Sequence, residues 1–334
     1  MKPLTYRVLK RLATGDFYSG EILANQLGVS RGSVWHSVRE LEAAGLEIYR
    51  VRGRGYRLQQ PLSLLDAAEV RRHLGRRASG LGLELVDSVG STNTLALMRA
   101  QANAPTGTVV AAEWQTAGRG RRGRSWQAGV GGALTFSLVW RFAHGAGFLA
   151  GLSLAAGIAL ARALKALGVA DAGLKWPNDV VWRGRKLAGI LIEMQGDALG
   201  PSCAVIGIGL NVRLSGAVRR RIDQAATDLE TACGRMLDRN VVLARILIEM
   251  CSVLEAFARD GFAPLRAEWQ RHHAWQDRSV TVALPDGRHE SGVARGVGED
   301  GALIVAARAG IRRYHSAEVS LRATRATEKV REGV

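Results

Sequence analysis

The densest chemical signal in the chain is Gly118-Arg119-Gly120-Arg121-Arg122-Gly123-Arg124, four arginines interleaved with three glycines. Glycine lets a backbone approach an anion closely, and guanidinium groups neutralise negative charge as it develops, so the chemistry on offer concerns phosphate or carboxylate. Gly118, Gly120 and Gly123 also satisfy the spacing G-x-G-x-x-G. That motif binds a dinucleotide only where it opens a helix and an acidic residue follows about 20 positions later. Here the loop runs into Arg124-Ser125-Trp126, and Leu138 to Phe142 holds no acid, which excludes a dinucleotide site. A loop closing over a nucleotide, a second nucleic-acid contact and a solvated basic loop all remain open on these residues alone.

Other motifs narrow the choice. Lys175-Trp176-Pro177-Asn178-Asp179 follows a strand pattern, and Arg185-Lys186-Leu187-Ala188-Gly189-Ile190-Leu191 follows a hairpin turn at Arg183-Gly184. Taken with Ser91-Thr92-Asn93, Gln115, the arginine-glycine loop and Gly207-Ile208-Gly209-Leu210-Asn211-Val212, these segments resemble the biotin-protein ligase family. A winged-helix pattern ahead of them and the ending Glu318-Val319-Ser320-Leu321-Arg322 resemble its bifunctional bacterial branch, in which a ligase is also a biotin operon repressor. The resemblance runs from about Leu4 to Arg322. Two departures stand out: Ser316-Ala317 where the family commonly has glycine, and a Val89-Gly90 insertion before Ser91.

The resemblance implies ATP-dependent formation of biotinyl-5'-AMP, followed by transfer of biotin to a lysine of a biotin carboxyl carrier protein. Biotin's carboxylate is already an anion, so its attack on the α-phosphate needs alignment and charge neutralisation rather than a general base. By motif, Lys186, Arg121 and Asp179 would be catalytic. Ser91, Thr92, Asn93, Gln115, Arg119, Gly120, Arg121 and Lys186 would bind biotin or its adenylate, and Arg121, Trp126 and Asn211 the nucleotide. Mg2+ would assist departure of pyrophosphate, with no protein ligands assigned. Ser91 or Thr92 also suits the cap of a helix near Thr94. Asp179 suits three roles: base for the acceptor lysine, orienting group for Lys186, or metal contact. Two rival functions are a biotin-sensing repressor without catalysis and a lipoate-type acyl ligase.

These side chains need a scaffold, and the sequence predicts an α+β protein with three parts. Residues 1–62 read as a winged helix-turn-helix. Leu4, Val8, Leu9 and Leu12 give a first helix; Ser19 caps a second that stops at Gly28; Ser30 caps a third with Val34, Val38 and Leu41 inward. Arg31, Ser33, Trp35, His36, Ser37 and Arg39 are expected to face outward. Leu46 to Leu58 alternates around Gly53-Arg54-Gly55, which predicts a hairpin wing. Arg31, Ser33, His36, Arg52 and Arg54 are the expected DNA contacts. Residues 66–272 alternate strand and helix signals, as a mixed α/β ligase domain does. Residues 273–323 show short strands and regular turns, including Pro285-Asp286-Gly287, and the resemblance makes them a small SH3-like β-barrel.

Composition agrees with this division. The chain has 334 residues and a formal net charge of +16, with 40 of its 46 basic residues arginine. Residues 1–65 carry ten basic and five acidic groups, the densest surplus, which suits a contact with operator DNA. At 47% hydrophobic residues the chain is too apolar for intrinsic disorder. Cys203, Cys233 and Cys251 share no CxxC spacing, so neither a disulfide framework nor a zinc site is expected. The uncharged run from Phe142 to Ala161 is rich in glycine and alanine, and a buried helix is expected there rather than a membrane span. No signal peptide is expected in Met1 to Ala13, the compartment is expected to be the cytoplasm, and the resemblance implies a homodimer when adenylate is bound.

Overall fold

A computed structural model describes residues 1–196, 200–284, 287–315 and 320–323. The Pro285-Asp286 positions of the expected turn, and Ser316-Ala317 with Glu318-Val319, lie outside the described residues. The winged helix comprises α1 (Pro3–Leu12), α2 (Gly20–Leu27), α3 (Arg31–Ala43), β1 (Ile48–Val51) and β2 (Gly55–Leu58). Ser19 Oγ accepts from the Ile22 amide and Ser30 Oγ from the Ser33 amide, so both expected N-caps form. Gly28 ends α2 at φ 67°, a conformation that favours glycine. One outward expectation fails: Ser37 is buried beside Val38, because it lies three residues after Val34 on the inner face of α3.

The central domain holds α4 (Ala67–Leu74), β3 (Gly82–Val86), α5 (Thr92–Gln101), β4 (Thr108–Ala112), β5 (Ala133–Phe142) and α6 (Leu152–Ala166). It continues through β6 (Gly173–Lys175), β7 (Asp179–Trp182), β8 (Arg185–Gly196), β9 (Ser202–Asn211), α7 (Gly216–Arg219), α8 (Leu229–Cys233), α9 (Arg239–Asp260) and α10 (Arg266–His272). Seven strands form one sheet in the order β3-β4-β5-β9-β8-β7-β6, antiparallel except for β3 beside β4. β7 and β8 are joined at Arg183-Gly184 with φ 48° and 74°, the two positive values a tight two-residue hairpin turn requires.

α6 and α9 pack together on one face of the sheet, where Ile158, Leu160, Leu164, Leu243, Leu247 and Leu254 are completely or almost completely buried. The uncharged run is therefore a core helix. Ala146–Ala166, counted with its leading 3-10 turn, is long and apolar enough to cross a membrane, yet 67% of it is buried inside the protein. The helix does not run through the whole stretch: it breaks at Ala150-Gly151, where Gly151 sits at φ 82°. β4 stops at Ala112, which frees Glu113, Trp114 and Gln115 for contacts outside the sheet.

The last part contains β10 (Ser279–Ala283), β11 (His289–Val297), β12 (Leu303–Ala307), β13 (Gly310–Tyr314) and β14 (Ser320–Ala323). They form a five-stranded antiparallel sheet, with β14 returning to pair with β10. It docks on the central domain through Trp176, a fully buried indole whose Nε1 donates to the Gly301 carbonyl at 3.1 Å. Gly301 must be glycine there, since an added Cβ would stand 2.8 Å from the Gly151 backbone. Burial of one such indole contributes about 3 kcal/mol, enough to hold this sheet beside the strand that carries Asp179.

Candidate active site

A cavity of about 440 Å³ opens over the carboxyl-side half of β9 and the start of β8. Its size suits a small organic ligand. Its floor is made by absent side chains: Gly189 and Gly209 face each other across β8 and β9, and the Trp126 indole lies over them. A Cβ on Gly209 would come within 2.5 Å of that ring, and one on Gly207 within 2.0 Å of Asn93 Oδ1. Alternating glycines in Gly207-Ile208-Gly209 are thus a packing requirement of the sheet face.

One wall is built for neutral hydrogen bonding. Gln115 Oε1 accepts from the Thr92 amide at 2.7 Å and lies 3.1 Å from the Thr92 hydroxyl. Ser137 Oγ, completely buried on β5, stands 2.8 Å from Thr92 Oγ1 and 2.6 Å from Asn93 Oδ1. Ser91 occupies the N-cap position of α5, yet its side chain makes no capping hydrogen bond, and the helix starts at Thr92 rather than Thr94. Val89-Gly90, just ahead of Ser91, is tied to the segment after Gln115, because the Thr116 and Ala117 amides donate to the Val89 and Gly90 carbonyls at 2.9 Å.

The opposite wall is charged. Lys186 Nζ lies 2.7 Å from Asp179 Oδ1 and 5.9 Å from the centre of the Trp126 ring. Lys175 Nζ approaches the other Asp179 oxygen at 4.0 Å. Arg121 Nη1 donates to Asn178 Oδ1 at 3.2 Å, while Asn178 Nδ2 donates to the Ile190 carbonyl at 2.7 Å. Burial pushes the Arg121 guanidinium below its usual pKa; Arg122 and Arg124 push the same way and Asp179 opposes them. A desolvated cation crowded by like charges is one that an incoming anion relieves. Gly120 and Arg124 close the loop through a backbone bond of 2.6 Å, and Arg121 to Gly123 form a single 3-10 turn, so the loop opens no helix.

All eleven positions expected for ligase chemistry, Ser91, Thr92, Asn93, Gln115, Arg119, Gly120, Arg121, Trp126, Asp179, Lys186 and Asn211, line this one cavity. Three of them are turned towards protein partners. Asn93 Nδ2 donates to the Leu191 carbonyl at 3.2 Å and to Glu193 at 2.9 Å, which engages both its donors. Arg119 is held by the same Glu193 through contacts of 2.8 and 3.1 Å. Asn211 Nδ2 donates to the Thr227 carbonyl at 3.0 Å, fastening the segment whose Ala225 carbonyl accepts from the Lys186 amide. These side chains shape the cavity from behind.

Sequence reading missed Ser137, Asn178, Glu193 and the stretch Arg221 to Gln224 that forms the cavity rim. Ser137 carried a signal, being a polar residue on a strand flanked by Phe136 and Leu138. Glu193 carried none, because its partners lie 74 and 100 residues away.

On the winged helix, Arg31 and His36 are exposed on α3, Arg52 and Arg54 are exposed at the hairpin tip, and Ser33 is half-buried with its hydroxyl 3.0 Å from Ser30 Oγ. Arg54 and Arg57 both stack on the Phe17 ring, at 4.2 and 4.8 Å from its centre. Among the described residues no three His, Cys, Asp or Glu side chains cluster to hold a metal ion. Among the described residues, the carboxylates that line the cavity are Asp179 and Asp223, which fits a cation carried mainly by phosphate oxygens.

A winged helix, a mixed seven-stranded domain with a glycine-floored and cation-walled cavity, and a small antiparallel sheet define the protein-ligase class that attaches acyl cofactors. Matches to known families agree: the biotin/lipoate A/B protein ligase family over residues 85–211, an HTH domain over 5–57, and the biotin protein ligase C terminal domain over 277–322. The bifunctional ligase/repressor BirA of Salmonella typhimurium is 36% identical, covering 96% of this chain and 97% of its own. The biotin--[acetyl-CoA-carboxylase] ligase of Mycobacterium tuberculosis is 37% identical over 74% of this chain and 91% of its own. The biotin protein ligase of Aquifex aeolicus, solved in complex with biotin and ATP, superposes with a TM-score of 0.62 at 27% identity, covering 73% of this chain and 99% of that one. The chain belongs to the biotin protein ligase family, in its bifunctional ligase/repressor form.

Proposed function

We propose that the protein is an ATP-dependent biotin-protein ligase and a biotin-responsive repressor, acting in the cytoplasm. The observation that carries this reading is the single cavity in which a neutral hydrogen-bonding wall, Thr92 and Gln115, faces the cationic wall of Arg121 and Lys186. The neutral wall matches a ureido group, which both donates and accepts. The cationic wall matches a carboxylate meeting a triphosphate. Biotin's carboxylate oxygen attacks the α-phosphorus, the bond to the bridging oxygen breaks, and pyrophosphate leaves. Lys186 and Arg121 neutralise the oxygens that gather charge. Mg2+ would ride on the triphosphate, with Asp179 or Asp223 as its nearest protein carboxylates.

In the second step an acceptor lysine of the biotin carboxyl carrier protein attacks the acyl carbon, AMP departs, and the amine loses its proton. The 2.7 Å contact with Lys186 favours Asp179 as the group that orients this lysine. Trp126 presents the ring face available to stack on adenine. Winged helices paired in a homodimer would contact two half-sites of operator DNA. Incubation with biotin, ATP, Mg2+ and an apo carrier domain tests the enzyme: labelled carrier and released pyrophosphate are expected, and absence of both refutes it. A lipoate-type ligase would label a lipoyl domain instead. Promoter binding measured with and without biotin and ATP tests the repressor.

A further inference from the structure

Glu113 and Arg239 form an ion pair in which both side chains are 2% exposed, the most deeply buried charges among the described residues. Four separate segments meet there. Arg239 Nη1 binds Glu113 and the Ser63 carbonyl, Nη2 donates to the Ala133 carbonyl at 2.9 Å, and Nε has no partner. The other Glu113 oxygen accepts from the Leu65 amide. The rest of the linker is tied down beside them: Asn240 bonds the Asp66 amide at 2.8 Å and the Leu64 carbonyl at 3.0 Å, and Ser63 Oγ donates to Asp238 at 2.7 Å.

Such a pair is poorly explained as a source of stability. Desolvating two charges costs more than their attraction returns in many proteins, and apolar side chains of similar volume often serve stability as well or better. An orphaned guanidinium Nε adds to that cost. What the pair does is geometric. Glu113 leaves β4 two residues before Gln115, which holds Thr92, and its neighbour Trp114 packs into the core of the winged helix. After burial, the Glu113 carboxylate is the next cause that raises the pKa of the Tyr6 phenol on α1. Ala133 begins the strand whose buried Ser137 supports Thr92 and Asn93 of the cavity wall.

We infer that Glu113 and Arg239 are positioning residues: one buried pair fixes the linker from the winged helix and the segment that presents Gln115, so ligand occupancy and winged-helix placement share an anchor. The inference rests on the ligase and repressor reading above. Its test uses the full chain with Glu113→Leu and Arg239→Met combined, which keeps the site filled without charge. Melting near the wild-type temperature is expected, together with a KM for biotin raised about tenfold, kcat changed less than about twofold, and promoter affinity that no longer responds to biotin and ATP. A double variant with wild-type KM and wild-type ligand response overturns the inference. A measurement on the unaltered protein stands beside it should the variant fail to fold. Amide exchange at Leu65 and Asp66, whose N–H groups donate to Glu113 and Asn240, is expected to be as slow as in β4, and exchange at the rate of an exposed loop overturns the inference as well. If the wild-type protein labels no carrier, the ligase reading fails, and the exchange measurement still decides whether the linker is anchored.

Discussion

Adding one methyl group at three glycines should produce a large loss, a small loss and no loss. At Gly209 the new Cβ would lie 2.5, 2.7 and 2.9 Å from three atoms of the Trp126 indole, where ordinary contact is roughly 3.5 to 4 Å, so the ring must lift by about 1 Å. At Gly189 the nearest atoms are Lys186 Cε and Nζ at 3.2 and 3.3 Å and Trp126 Cζ3 at 3.3 Å, which a flexible lysine can accommodate. At Gly216 the only neighbour is Arg220 Nη1 at 3.5 Å, so nothing has to move. Lifting the indole narrows the cavity on the side proposed for adenine and displaces a ring that lies 5.9 Å from Lys186 Nζ. A misplacement of about 1 Å can cost about 100-fold in rate, and overpacking of this kind costs about 1 to 3 kcal/mol. Pyrophosphate release at varied ATP should therefore show kcat/KM reduced about 100-fold in Gly209→Ala, about 3- to 10-fold in Gly189→Ala, and not at all in Gly216→Ala. Thermal melting confirms that each variant folds. Wild-type kinetics for folded Gly209→Ala would refute the placement of Trp126 as the floor of the working site.

Lys186→Met should reduce pyrophosphate release by about 100- to 1000-fold, and Asp179→Asn by less, because it frees Lys186 without removing its charge; equal losses would count against an orienting role for Asp179. Burial holds His273 at a pKa of about 4 instead of 6.5, against weaker opposing effects from Gln276 and Asp277. The unfolded chain therefore binds the proton first, and stability present above pH 6.5 falls as pH drops towards 4, by on the order of 3 kcal/mol. Denaturant melts of wild type and His273→Phe across that window should diverge, and parallel curves would contradict the assignment. Arg52→Ala and Arg54→Ala should each weaken promoter binding across sequences and reduce its dependence on salt; an unchanged slope in a filter-binding series would take the wing off the DNA.

How much of this was legible in the chain depends on the distance over which each interaction acts. The winged helix is local: caps at Ser19 and Ser30, the stop at Gly28 and the Arg52 to Arg54 hairpin tip are set within a few residues. The strands β7 and β8 were equally readable, since Arg183-Gly184 supplies the turn that joins them. Ser37 was misplaced because a polar residue gives no hydrophobic signal even when helical geometry turns it inward. The end of β4 at Ala112 was not readable in the chain, because the fate of Glu113 depends on Arg239, 126 positions away.

Residue type and short-range spacing, by themselves, determined that this chain carries a winged helix and an arginine-glycine loop suited to carboxylate or phosphate, and the resemblance of its motifs added Lys186 and Asp179. Only the tertiary structure decided how each of those groups is held in the cavity. Arg119 and Arg121 are equivalent on paper, yet Glu193 of β8 holds the first, while the second is buried beside two other arginines and donates to Asn178 just before β7. The physical reason is that a guanidinium takes its role from the charges and the solvent around it. Strands distant in sequence bring those together only when the sheet closes.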